Sequence, residues 1–212
     1  RYKMKKLFLT SVFAKTAKEF KKFYGETNGK SAVLIPTAAK AEGGSSIYIR
    51  KQHRVLERLG LNICVLDISV AESNEIMAKL LNSDIIYIGG GNTFYLLQEL
   101  KRSGADKLIK EQVLLGKAYI GESAGAVVAA PCIDYIEDMD KRDAAPNLKD
   151  CSALGLVDFY TLPHMNSFPF IRASRMIAEK HSNDLKLLPI TNRQAVCVYG
   201  NEIKILGKQL QI

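Results

Sequence analysis

The 212-residue chain has little cysteine, few histidines and no long apolar run, and each shortage narrows what it can be. Its four cysteines stand at 64, 132, 151 and 197. None is two or three residues from another, so the spacing builds neither a zinc site nor a disulfide framework. They read as buried thiols acting as small hydrophobes. No stretch approaches the roughly 20 apolar residues that a membrane-spanning helix needs. Near the start, Lys5-Lys6 precedes Leu7-Phe8-Leu9, but this apolar stretch is too short for an export signal, and Lys15 and Lys18 break up the next segment. A cytoplasmic location is the expectation, with Met4 as a natural start and residues 1–3 as an added remnant.

Acidic residues are outnumbered: 30 lysines and arginines face 22 aspartates and glutamates, a formal charge of +8. The lysines are spread along the chain, and Lys21-Lys22 is the longest pair in the first helical segment. Without a Lys/Arg run interleaved with aromatics, a solvated basic surface is favoured, and neither nucleic acid nor membrane is an expected partner. Apolar residues make up 47% and charged residues 25%, as in an ordinary folded domain. No repeat, linker or low-complexity tract divides the chain, so residues 1–212 are expected to form one α/β domain with a core that needs no staple.

What is present is an alternation of strand-like and helix-like segments. Strands are predicted at 6–10, 31–36, 63–66, 84–88 and 118–120. Helices are predicted at 15–24, 46–59, 73–81 (with Ser73 as cap), 93–102 and 105–115, and an Ala/Val-rich one runs to Ala130. The apolar strands lack in/out alternation, as expected when both faces are covered. This predicts a three-layer sandwich around a mostly parallel sheet. Residues 134–150 read as a polar, acidic, irregular excursion. Gln194–Tyr199 and Glu202–Leu206 flank Gly200-Asn201, the signal of a small antiparallel C-terminal hairpin.

The chemistry-bearing motif is Gly121-Glu122-Ser123-Ala124-Gly125, a G-x-S-x-G run between a strand and a helix. A nucleophile elbow needs that context, because a sharp turn pushes the serine hydroxyl away from the sheet. Side chains at 121 and 125 would collide with backbone there, and a helix N-terminus can stabilise an oxyanion. A hydroxyl needs a base. Of three histidines, His53 lies mid-helix among charged residues and His181 sits at a helix end. His164 follows Pro163 at the end of an apolar run, which makes it the base candidate. The orienting acid stays open among Asp134, Glu137, Asp138, Asp140, Asp143, Asp150, Asp158 and Glu122. The triple glycine 89–91 lacks both G-x-G-x-x-G and a P-loop lysine, and can instead turn a backbone N–H toward the site.

Gly89-Gly90-Gly91-Asn92-Thr93-Phe94, then Tyr119-Ile120-Gly121-x-Ser123-Ala124-Gly125-Ala126, then Pro163-His164 together resemble the dipeptidase E / cyanophycinase family of serine peptidases. The resemblance implies a class I glutamine amidotransferase-like α/β fold with serine in place of cysteine. It implies Ser123 as nucleophile, His164 as base, the N–H groups of Gly91 and Ala124 as oxyanion hole, and no metal or organic cofactor. An Asn-Asp-Met segment of the family matches Asp138-Met139, with Glu137 in place of the asparagine, and so points to Asp138 as third member. Arg172 and Arg175, three apart on one helix face, are similar to family arginines that could hold a substrate carboxylate, and Asn92 is a further candidate contact. The segment after Pro163-His164 is shorter and more apolar than in dipeptidase E.

The reading that results is a cytoplasmic serine exopeptidase acting on short, acidic peptides, as a monomer or homodimer. An esterase or amidase on small acyl compounds would use the same site, and a non-catalytic ligand-binding member would use none of its chemistry.

Overall fold

The computed structural model describes residues 4–43 and 46–208, so the remnant expected at residues 1–3 lies outside the described residues. Parallel strands β1 (Lys6–Thr10), β2 (Ser31–Ile35), β3 (Asn62–Val65), β4 (Ile85–Ile88) and β5 (Ala118–Glu122) lie in the order β3-β2-β4-β5-β1. The sheet continues antiparallel through β8 (Gln194–Tyr199) to β9 (Glu202–Gly207), the expected hairpin. A separate parallel pair, β6 (Tyr160–Leu162) and β7 (Leu187–Pro189), stands beside it. The helices are α1 (Phe13–Tyr24), α2 (Ser46–Arg58), α3 (Ser73–Asn82), α4 (Thr93–Ser103), α5 (Ala105–Leu114), α6 (Ala124–Val127) and α7 (Ile171–His181).

Both faces of the sheet are covered, which is why the central strands are apolar throughout. In β4, Ile85 and Tyr87 join Phe8, Phe13, Phe20 and Leu56 under α1 and α2. Ile86 and Ile88 face the other way, toward Ile76, Phe94, Leu97, Ile109 and Val113 of α3, α4 and α5. Each such side chain, fully buried, contributes about 1.5–3 kcal/mol. Phe8 and Phe20 also meet edge to face, with ring centroids 5.3 Å apart.

The Ala/Val-rich helix is shorter than expected: α6 ends at Val127 rather than Ala130. The α-helical bonds stop because the Gly125 carbonyl accepts the Tyr119 hydroxyl at 2.6 Å and the Ala130 N–H donates only three residues back, to the Val127 carbonyl at 3.1 Å. Beyond that turn the carbonyls of Val128, Ala129, Ala130 and Pro131 accept N–H groups of Leu154, Leu156, Gly155 and Ala153. Ser73 is the first residue of α3 rather than its cap, and the preceding Glu72 makes no capping side-chain bond. The excursion after Asp134 holds only two short 3₁₀ turns, yet it is anchored: Tyr135 is buried and donates its hydroxyl to the Thr161 carbonyl at 2.5 Å.

The cysteines carry no disulfide; Cys151 and Cys197 are buried, while Cys64 and Cys132 are half-buried. Burial pushes the Cys151 thiol up to about 11 and the Cys197 thiol up to about 12. Among the described residues no helix is long and apolar enough to cross a membrane.

Candidate active site

The carboxyl ends of β1, β2, β4 and β5 open into a crevice, the usual place for a ligand in a parallel sheet. Ser123 stands there, between β5 and α6, at φ 53° and ψ −109°. A non-glycine residue in such backbone costs about 1–3 kcal/mol and persists only when its surroundings fix it. They do. The Ser123 N–H donates to the Thr10 carbonyl at 2.8 Å, and Tyr119 donates its hydroxyl to the Gly125 carbonyl at 2.6 Å. A Cβ on Gly121 would lie 2.4 Å from the Gly125 carbonyl oxygen, and one on Gly125 would lie 2.1 Å from that of Ile88. The elbow therefore closes only with both glycines.

His164 comes from the second sheet. It follows β6 and Pro163; His164 has φ 61°, and its N–H donates to Ser11 Oγ at 3.0 Å. Ser11 Oγ in turn donates to the Ile190 carbonyl at 3.3 Å, tying the histidine turn to the end of β1. The imidazole stacks on Phe170, with ring centroids 4.8 Å apart. Its Nε2 lies 2.9 Å from Ser123 Oγ. Its Nδ1 lies 2.6 Å from Oδ1 of Asn192, in the turn between β7 and β8. An amide oxygen only accepts, so Nδ1 carries the proton and Nε2 presents its lone pair to the serine. Burial holds the His164 pKa below its ordinary value, the nearby Lys15 charge acts the same way, and the Asn192 bond opposes them. The imidazole is thus neutral near pH 7.

The expected third member is corrected. Asp138 does not reach the imidazole; its carboxylate faces Lys180 of α7 at 3.5 Å. Of the other acids considered, Asp143 is exposed and makes no bond to the imidazole, and the rest are engaged elsewhere. Asp134 pairs with Arg142, Glu137 with Lys180, Asp150 with Lys101 and Asp158 with Lys186. Glu122 is buried behind the nucleophile, where its carboxyl accepts from the Tyr87 hydroxyl, from Gln52 Nε2 at 3.1 Å and from the Tyr48 hydroxyl at 3.2 Å. Burial raises its pKa against those three bonds. Asp140 accepts from the N–H and hydroxyl of Thr93, and burial pushes its pKa up to about 6.

Gly91 lines the same cavity, of about 370 Å³, as Ser123, His164 and Phe170. At φ 137°, a Cβ there would lie 2.2 Å from the Ala38 carbonyl carbon, so only glycine lets this turn pack so closely. Ala124 is the first residue of α6, and a first-turn N–H has no intrahelical partner. With four residues, α6 is too short to supply much of the helix dipole expected for this site.

Asn92, the further candidate contact, has a structural part. It caps α4: its Oδ1 accepts from the Tyr95 N–H at 2.9 Å, its Nδ2 donates to the Lys141 carbonyl at 2.8 Å, and the buried side chain is not among the residues lining the cavity. Arg172 and Arg175 lie on α7 as expected, but they are exposed and do not line the cavity; Arg175 donates to Asn166 Oδ1 at 2.7 Å. The remaining histidines sit apart, His53 against Glu57 at 3.4 Å and His181 against Asp184 at 3.3 Å. Asn192 is the residue that sequence reasoning missed. Its only local sign is a Thr191-Asn192 turn just before the C-terminal hairpin.

A serine hydroxyl on a strained strand-to-helix turn, facing a neutral imidazole at the mouth of a parallel sheet, describes a hydrolytic enzyme of the α/β class. Comparison with known proteins makes this specific. The model of peptidase family S51 matches residues 7–206, and the chain belongs to that family. It is a peptidase, of serine type by family. It is 47% identical over 203 residues to an uncharacterized peptidase of Pasteurella multocida, covering 96% of this chain and 97% of that protein. It is 34% identical over 187 residues to Peptidase E of Shewanella amazonensis, covering 85% of this chain and 76% of that one. A crystal structure of a Listeria monocytogenes protein, described as a candidate Peptidase E, superposes with a TM-score of 0.92 at 44% identity, covering 98% of this chain and 100% of that one.

Proposed function

We propose that the protein is an exopeptidase or dipeptidase for short peptides, working through Ser123, His164 and Asn192. The observation that carries the reading is the 2.9 Å contact between Ser123 Oγ and His164 Nε2, with a proton fixed on the opposite nitrogen. His164 takes the Ser123 proton as the oxygen attacks the scissile carbonyl. The N–H groups of Gly91 and Ala124 receive the oxyanion. The imidazolium then protonates the leaving amine, and water, activated by the same nitrogen, hydrolyses the acyl-enzyme. Asn192 orients the ring as a neutral acceptor, the part that asparagine plays in some cysteine proteases.

The lining gives no support to a strict preference for an acidic first residue. The cavity wall includes Glu42, Glu122 and Asp140, and neither Lys nor Arg is among its lining residues. A substrate carboxylate placed there would meet like charge. The test is hydrolysis of a dipeptide panel varying the first residue, with Ser123→Ala as control. Neutral first residues should be cleaved at least as fast as aspartate. Cleavage confined to Asp-Xaa would overturn the specificity reading, and cleavage of none would overturn the peptidase mechanism at this site.

A further inference from the structure

The basic residues that look scattered in sequence are gathered in space. Helices α1 and α2 lie side by side on one face of the sheet, and a groove of about 1210 Å³ runs between them, sharing no lining residue with the Ser123 cavity. From α1 it receives Lys18, Lys21 and Lys22, and from α2 it receives Arg50, Lys51, Arg54 and Arg58, all exposed. These seven matter to the whole molecule: the other 23 lysines and arginines nearly balance the 22 aspartates and glutamates, so the groove holds most of the +8 excess. Lys22 pairs with Glu19 at 3.4 Å; among the described residues none of the other six cations has a carboxylate within ion-pair distance. Between the two charged rims lies an apolar floor that includes Ala17, Val55 and Leu59, with Ile47, 70% exposed, at one end.

Like charges held together cost free energy that an anionic partner recovers. Phosphates alone would leave the apolar floor uncovered, and no aromatic residue lines the groove to stack a base. A second copy placed by a two-fold axis would set the same positive patch against itself. A flat bilayer cannot follow a concave channel between two helices. An amphipathic helix answers all three points: its apolar stripe fits the floor and its acidic flanks meet both rims. We propose that the α1–α2 groove is a docking site for an acidic amphipathic helix of a partner protein.

The probe is a fluorescein-labelled peptide of about 18 residues with leucine at i, i+3, i+4 and i+7 and glutamate elsewhere, followed by anisotropy. It is compared with its scrambled counterpart, a single-stranded oligonucleotide of equal charge and phosphatidylserine vesicles. The amphipathic peptide should bind at least about tenfold more tightly than the scrambled one and the oligonucleotide. Lys21→Glu/Arg54→Glu should weaken it about tenfold or more. The milder Lys21→Gln/Arg54→Gln should weaken it in the same direction, and circular dichroism reports whether both variants stay folded. Dipeptide hydrolysis should be unchanged in both. Equal binding of the scrambled peptide, tighter binding of oligonucleotide or vesicle, or affinity indifferent to charge removal would each overturn the proposal.

Discussion

Oδ1 of Asn192 stands 2.6 Å from Nδ1 of His164, and the opposite ring nitrogen stands 2.9 Å from the Ser123 hydroxyl. The histidine is thus held between an amide that fixes its proton and a hydroxyl that donates one. A neutral amide orients the ring without the charge stabilisation that a carboxylate gives an imidazolium. This agrees with a His164 pKa lowered chiefly by burial.

That arrangement predicts opposite signatures for two substitutions at one position. Asn192→Ala removes the acceptor and should lower kcat by about tenfold to a hundredfold, since a misoriented ring forfeits part of what general-base catalysis supplies. Asn192→Asp keeps an acceptor and adds a negative charge, which favours the imidazolium and should move the acid limb of the pH profile to higher pH. Steady-state kinetics across pH on both variants checks the pair of expectations.

Wild-type enzyme should stay active further into acid than an exposed histidine allows. Burial disfavours the charged ring, so the base remains unprotonated to a lower pH than usual. A plot of log kcat/KM against pH should inflect below the ordinary imidazole value of about 6.5 and lie flat toward pH 8. An inflection above that value would contradict the site's electrostatics.

Asp138→Asn should change kcat/KM by no more than about twofold, because a partly exposed ion pair to Lys180 is all it loses. Arg172→Ala and Arg175→Ala should leave KM for an Asp-Xaa dipeptide unchanged, as neither side chain lines the cavity. A large rise in KM in either arginine variant would restore the acidic preference that the family resemblance implies.

Much of this architecture was legible in the residues. The central strands announce themselves because burial on both faces leaves unbroken apolar runs such as Ile85–Ile88. The elbow is legible because its glycines answer a local steric demand. Asn192 was not, since its contact to His164 spans 28 positions and leaves no periodic trace. The helix to Ala130 fails for a related reason: local propensity favoured it, but the Gly125 carbonyl it needs accepts the Tyr119 hydroxyl from the strand before the elbow. The same holds for the basic groove, whose two rims come from helices that only the sheet brings side by side.

The most direct measurement is kcat/KM of Ser123→Ala on a dipeptide that the wild-type enzyme cleaves. The substitution leaves Glu122, His164 and both glycines of the turn in place. Activity should fall by about 10³-fold or more, with a melting temperature within a few degrees of wild type. A folded Ser123→Ala protein that hydrolyses the dipeptide at the wild-type rate would contradict the account.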